Sequence, residues 1–373
     1  MGQCRCPNSA ALQAIADTVR DFIFTGQASR VVFGAGSLAH LEREVDLLGA
    51  QRALVLCTPE QQPLAAEITQ RLGKRAAGVY AKAVMHVPVE TANDALQEAE
   101  RVQADCLVAV GGGSTTGLAK AIALQSARPI LAIPTTYAGS EMTPIWGMTE
   151  NGLKKTGRDT RVLPRTVIYD PELTISLPIG LSVTSGMNAI AHAAEGLYAQ
   201  DSNPVMDLMA EEGIRALAAA IPLLRDHPGD MHARSDALYG AWLCGTVLGN
   251  VGMALHHKLC HTLGGTLNLP HAEVHTVVLP HAIAYNAAAV PNAMQRIARA
   301  LRREDAAQGL YSLAKDNGAP YALRDIGMQE KDIDRIAQIA VQNPYWNPRP
   351  VNAEAEVALR ALLQRAWQGA PPA

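Results

Sequence analysis

The chain is poor in aromatic residues, with three Phe, four Trp and nine Tyr in 373 residues. Cores large enough for that length must be built mainly from Ala, Leu, Val and Ile. It also lacks an excess of either charge. With 32 Lys and Arg against 35 Asp and Glu, the net charge is −3, and a nucleic-acid binder normally carries a basic patch or a high isoelectric point. No run of eighteen apolar residues occurs, and the N-terminus has no apolar stretch of signal-peptide type. Neither a membrane span nor a secretory signal is expected, and a soluble cytoplasmic protein is the reading. The six cysteines (Cys4, Cys6, Cys57, Cys106, Cys244 and Cys260) match no zinc ribbon and no CxxC redox pair. Cys57 and Cys106 fall inside apolar runs and read as small buried hydrophobes. The Cys4-x-Cys6 pair has no second pair downstream and reads as a free polar end. A Rossmann GxGxxG is missing too.

With 48% hydrophobic and 18% charged residues, the chain can bury substantial cores, and its length implies two domains. Short apolar runs alternate with helical patterns in the first half. The runs are 30–34, 53–57, 76–80, 106–110, 130–133 and 166–170. Helical stretches lie at Leu64–Leu72 and Ala92–Val102. Continuous apolar strands alternating with helices predict a parallel sheet covered on both faces. From about Ser185 the chain turns Ala-, Leu-, Met- and Glu-rich with helical spacing, as in Met206–Ala219 and Asp236–Leu248, and strand signals fade. The organisation expected is an N-terminal extension at 1–21, an α/β domain at 22–181 and an all-α domain at 182–373.

Two segments can hold phosphate. Val108-Ala109-Val110 runs into Gly111-Gly112-Gly113-Ser114, with a helix pattern from Thr116 to Ala123. A strand, a glycine turn and a helix start bring free backbone N–H groups to an anion. Thr135, Thr136 and Ser140, in PTTYAGSE after the next strand, offer hydroxyls at a neighbouring strand's carboxyl end, where open α/β sheets bind ligands. Together the loops fit a dinucleotide. Thr58 stands after its strand where an acid often holds the ribose 2′-hydroxyl, and a threonine leaves both NADH and NADPH open.

The other end is crowded with histidine. Six of the eleven histidines lie between His256 and His281, in and just after HHKLCHTLGGTLNLPHAEVH. His257 and His261 are four apart, hence on one helix face, as are Asn188 and His192 in SGMNAIAHAAE. Gly264-Gly265 and Pro270 are expected to break the helix, and His271 returns after them. Such a set can surround one point as metal ligands or as acid–base groups. His256, His275 and His281 read as structural.

The GGGS turn, PTTYAGSE, SGxxAxxHAxE and HxxxHxxG…PHxE, in this order, resemble the iron-containing (group III) alcohol dehydrogenases over nearly the whole chain after Phe22. The resemblance implies a dehydroquinate synthase-like fold, with an α/β dinucleotide domain, a helical domain and an active site in the cleft between them. It places the pyrophosphate on Gly111, Gly112, Gly113 and Ser114, with Thr135, Thr136, Ser140 and Lys155 lining the cofactor cleft. Metal-dependent members have Asp, His, His and His around the ion. Here the corresponding residues are Asn188, His192, His257 and His271. Gly117 replaces the Asp usual after GGGS. Losing the one anionic ligand disfavours a dication, so NADH or NADPH without a required metal is the expectation. AIPTTYAGSEMT, the Lys155-to-Pro171 segment and the NPRPV run at 347–351 resemble a branch of the family that reduces the conjugated C=C of maleylacetate, giving 3-oxoadipate in aromatic-compound breakdown. For that dianionic substrate, His257 and His261 are expected to stabilise the enolate and donate the proton. His192, His271, Asn188 and Tyr137 are expected to hold the substrate, with Lys258 or Arg349 on a carboxylate. The rival is an Fe- or Zn-dependent dehydrogenase of small alcohols. The family likeness also implies a homodimer.

Overall fold

The computed structural model describes residues 22, 24–26, 29–150 and 153–373. The 1–21 extension, with Cys4 and Cys6, lies outside the described residues. The first half runs β1 (Arg30–Phe33), α1 (Leu41–Leu47), β2 (Ala53–Leu56), α2 (Gln62–Leu72), β3 (Ala76–Tyr80), α3 (Val89–Arg101), β4 (Cys106–Gly111), α4 (Gly113–Ser126), β5 (Ile130–Pro134), β6 (Ile145–Glu150), β7 (Leu153–Arg158) and β8 (Thr166–Tyr169). Six of these strands make one parallel sheet in the order β1-β8-β5-β4-β2-β3. Strands β2, β4, β5 and β8 are buried at every residue, which is why their sequences are continuous apolar runs rather than alternating ones. The chain leaves β2 outward to β3 and leaves β4 the other way to β5, so a crevice opens at the carboxyl ends of β2 and β4.

The antiparallel hairpin β6–β7 stands apart from this sheet. β6 is half-buried and packs Met148 on the sheet's core, while β7 is mostly exposed, and neither carries strong apolar alternation. The Asn-Gly dipeptide at 151–152 was the available signal for it.

The second half is helical: α5 (Ile179–Gly196), α6 (Pro204–Asp226), α7 (Met231–Asn250), α8 (Leu255–Leu267), α9 (His271–Asn286), α10 (Pro291–Leu301), α11 (Ala306–Asp316), α12 (Ile333–Gln342) and α13 (Glu356–Gln368). Every residue of α5 from Ser182 to Gly196 is buried, so this helix is the axis around which the others pack. Helix α8 does not break at Gly264-Gly265, as expected from the sequence. It runs to Leu267 and stops where Asn268 turns left-handed at φ 53°. The neighbours of Gly264 and Gly265 leave open space at both Cβ positions, so the packed remainder of the helix outweighs their low propensity.

Glycines also bring the two halves together. A Cβ on Gly245 of α7 would sit 2.7 Å from the Gly139 carbonyl oxygen, and one on Gly249 would sit 2.4 Å from that of Met142. The 139–142 turn can press against α7 only because both positions are bare. Cys57, Cys106, Cys244 and Cys260 are free and buried. Among the described residues no single helix is long and apolar enough to cross a membrane.

Candidate active site

The anion side is built by three loops. Gly111 closes β4 at φ 144°, and a Cβ there would lie 2.7 Å from Thr115 Oγ1 and 2.9 Å from Gln61 Oε1. Both oxygens are buried without partners. Gln61, just after β2, donates from Nε2 to Thr135 Oγ1 at 2.7 Å, which ties the loop after β2 to the loop after β5. A Cβ on Gly112 would meet Thr136 at 3.0 Å. Gly112 is the N-cap of α4 and supplies no side-chain bond, so the first N–H groups of that helix, at Gly113 and Ser114, remain available to an anion. Ser140 closes the side: its carbonyl accepts from the buried Lys120 ammonium at 2.6 Å. Thr58 follows β2 as expected, but a carboxylate stands beside it. Glu60 is held below the usual carboxylate range by its own backbone N–H and by the Thr58 hydroxyl.

The histidines meet on the helical side. Glu195, at the end of α5, is fully buried. Its carboxylate accepts from the backbone N–H of Ala254 (2.9 Å), His256 (2.7 Å) and His257 (3.3 Å). It thus caps α8, which has no capping side chain of its own, and places negative charge at the positive end of the helix dipole. The same carboxylate accepts from His257 Nδ1 at 2.6 Å. With Nδ1 donating to Glu195, His257 Nε2 is left as an acceptor, and a neutral His192 can donate to it from Nδ1 at 2.9 Å. His192 Nε2 stands 3.3 Å from the Ala138 carbonyl. A single hydrogen thus links the two rings. Asn188, one turn before His192, is buried, and its Oδ1 has no partner among the described residues.

His261 lies one turn beyond His257, with ring centroids 6.0 Å apart. Its Nδ1 meets the Tyr345 hydroxyl at 2.9 Å. Tyr345 is held there by Asn347, which accepts from Leu255 N–H at the start of α8 and exchanges two amide bonds with Asn286. Lys258 lies over the Tyr345 ring. His271 opens α9, packed on His275 at 4.3 Å between ring centroids. His275 and His256 form a buried pair, Nδ1 to Nε2, at 3.0 Å. Burial pushes His192, His261, His256 and His275 well below the ordinary histidine value. Burial, then the charge of Lys154, pushes His271 down to about 3. These rings act as neutral donors and acceptors, not as the protonated groups the sequence allowed for.

Three expected site residues lie elsewhere. Tyr137 is fully buried in the core, where its hydroxyl accepts from Arg234. Its neighbours Thr136 and Ala138 face the cleft, and alternation along an extended segment turns Tyr137 inward. Lys155 points to solvent and pairs with Glu150. Strand alternation gives the cleft to Lys154 instead, whose charge acts on His271, His261 and His86. Arg349 stacks on Tyr285 at 4.1 Å and donates to its carbonyl. Tyr285 lies near the far end of α9, about 21 Å along the helix axis from His271. Glu195, Tyr345 and Lys154 carried no functional assignment from sequence. Glu195 sat inside SGMNAIAHAAE, but only the packing of α5 against α8 shows what its carboxylate does.

The family's name implies iron, so the donors must be tested against it. Asn188, His192, His257 and His271 would offer three neutral imidazoles and an amide oxygen. The nearest carboxylate is spent on three backbone donors and on His257 Nδ1. With no anion among the donors, the set offers Fe²⁺ weaker ligation than the Asp, His, His and His expected of the metal-dependent members.

A parallel nucleotide crevice facing a histidine-lined helical domain defines a dehydrogenase architecture. The model of iron-containing alcohol dehydrogenases matches residues 28–171, and that of the C-terminal region of Fe-containing alcohol dehydrogenases matches 182–367. The chain belongs to the iron-containing alcohol dehydrogenase family. It is 62% identical over 351 residues to the maleylacetate reductase of Burkholderia cepacia, covering 94% of this chain and 99% of that one. It is 57% identical to the maleylacetate reductase of Pseudomonas sp. strain P51, covering 94% of this chain and 99% of that one. The crystal structure of maleylacetate reductase from Rhizobium sp. strain MTP-10005 superposes with a TM-score of 0.91 at 54% identity, covering 95% of this chain and all of that one.

Proposed function

We propose that this chain is a maleylacetate reductase that uses NADH or NADPH, needs no metal, and forms 3-oxoadipate. The observation that carries the reading is Asn188 beside His192, His257 and His271, a pocket with no carboxylate facing it, in a chain 62% and 57% identical to two reductases of that name. The dinucleotide would lie on Gly111, Gly112, Gly113 and Ser114, flanked by Thr135, Thr136, Ser140 and Thr58. When bound, the nicotinamide supplies a hydride to the alkene carbon remote from the ketone.

The protein's part is charge and protons. Addition of hydride moves the alkene electron pair onto the ketone oxygen as an enolate, and the adjacent carbon must then take a proton. Asn188, His271 and the neutral His261 ring can donate hydrogen bonds to substrate oxygen without repelling a dianion. Tyr345 fixes the His261 ring through Nδ1 and leaves Nε2 for the substrate. The hydrogen that links His192 to His257 is the nearest store for the carbon. Lys258 and Lys154 supply positive charge at the rim.

The test is cofactor oxidation with maleylacetate against a panel of small aldehydes, with and without chelator, alongside metal analysis. Chelator-insensitive turnover of maleylacetate alone is expected. Stoichiometric Fe or Zn with activity on simple alcohols would overturn the reading.

A further inference from the structure

The turn between β3 and α3 is strained. His86 and Val87 are consecutive residues in the left-handed region, at φ 66° and 46°. A side chain there costs folding free energy, most for a β-branched residue, and such strain concentrates at functional sites. Three contacts hold the turn. Thr149 Oγ1 on the hairpin donates to the His86 carbonyl at 2.9 Å, and Thr149 N–H donates to that of Val87 at 3.1 Å. On the other side Val87 is buried against α4 at Gly117, where a Cβ would lie 2.9 Å from Val87 Cγ2. Bare Gly117, in the place of the Asp usual in metal-dependent relatives, therefore admits the turn.

The strain carries His86 to the cleft. Its Nε2 is buried and has no partner among the described residues, although a polar atom in such a place normally has one. Its electrostatic neighbours are Lys154 on the hairpin and His271 at the head of α9. Burial and Lys154 hold the ring below the ordinary histidine value, and a neutral ring protonated at Nε2 is a donor aimed at an acceptor that the protein does not provide. A carboxylate in the field of Lys154 is such an acceptor.

We propose that His86 binds one carboxylate of the dianionic substrate and that the strained turn, admitted by Gly117, sets its position. The assignment rests on the reading of the cleft as a reductase of a dicarboxylate. It separates one carboxylate, met by the α/β domain, from the reacting alkene and ketone, met by the histidines of α8 and α9.

His86→Gly removes the ring and relieves the left-handed backbone. The expected result is an apparent Tm equal to or above that of the parent, a KM for maleylacetate raised about tenfold or more, and a KM for NADH within about twofold. His86→Gln, which keeps an N–H near the Nε2 position, recovers part of the KM. Gly117→Ala, which pushes Val87 away, raises the KM for maleylacetate. An unchanged KM for maleylacetate in His86→Gly overturns the proposal, as does a parallel rise in the KM for NADH, which would make the ligand the cofactor. Calorimetric binding of adipate to the enzyme with NAD⁺ separates this from the reductase reading. Adipate binding that weakens about tenfold in His86→Gly supports the carboxylate site even if maleylacetate is not turned over. Binding indifferent to His86, or no adipate binding by the parent enzyme, overturns it.

Discussion

Replacing Glu195 by Gln tests the joint between fold and chemistry. The carboxylate is fully buried and serves five donors: three backbone N–H groups at the head of α8, His257 Nδ1 and, at 3.5 Å, the Tyr198 hydroxyl. An amide keeps the volume. If its oxygen takes the place of Oε2, it still meets Ala254 N–H, His257 N–H and His257 Nδ1. Its NH2 then faces the N–H of His256. That buried donor is left unpaired, at about 1–3 kcal/mol. The lost anion at a buried helix N-terminus adds up to ~2 kcal/mol. The sum is about 1–5 kcal/mol, and at ~2–4 °C per kcal/mol for a domain of this size the apparent Tm falls by about 2 °C or more. Scans compared at one fixed rate avoid confusion from irreversible unfolding. The anion that holds His257 Nδ1–H, and so keeps Nε2 as the acceptor facing His192, also disappears, so turnover is expected to fall at least ~10-fold while the KM for NADH, whose proposed site lies on the other domain, stays put. A Glu195→Gln enzyme that melts within about 1 °C of the parent and turns over at the parent rate would refute this account of α8 and of the proton store.

Tyr345→Phe removes the partner of His261 Nδ1. One lost hydrogen bond of ~0.5–1.5 kcal/mol predicts kcat lowered about 2–10-fold with the KM for NADH unchanged, measured in steady state. Asn188→Asp restores an anion among the imidazoles. Metal analysis after exposure to Fe²⁺ or Zn²⁺ is expected to show retention that the parent lacks, with weaker binding of the dianion. Acid should destabilise the fold early. His271 is pushed down to about 3 and His281 to about 4, both mainly by burial. Between the unfolded value near 6.5 and these folded values the unfolded chain binds more protons than the native one, so stability falls as pH drops through that window. Melting temperatures measured from pH 7 to 4 should decline steeply from about pH 6.5, and a flat profile would contradict the buried neutral rings.

Much of this molecule can be read from local pattern. A strand buried on both faces must be a continuous apolar run, so β2, β4, β5 and β8 stood out, and the edge strands β1 and β3 showed as short runs alternating with the helices. The glycine turn after β4 and the four-residue spacing of Asn188 with His192, and of His257 with His261, fixed which ends of the chain carry chemistry, because helix and strand periods act over a few residues. The hairpin β6–β7 escaped because β6 is only half-buried and β7 is mostly exposed, so no apolar period marks them. Side-chain direction and long-range partners were decided only by tertiary packing. Tyr137 and Lys155 each sit one residue from a neighbour that faces the cleft, and period-two alternation turns them away. Arg349 follows Tyr345 by four residues, yet it stacks at the far end of α9. Glu195 becomes a cap and a counter-charge only when α5 packs against the start of α8, a contact 62 residues away in sequence from its histidine. Residue types and spacings named candidate groups. Which ring nitrogens have partners, and which lysine faces the cleft, depended on burial and on partners distant in the chain, which local pattern does not encode.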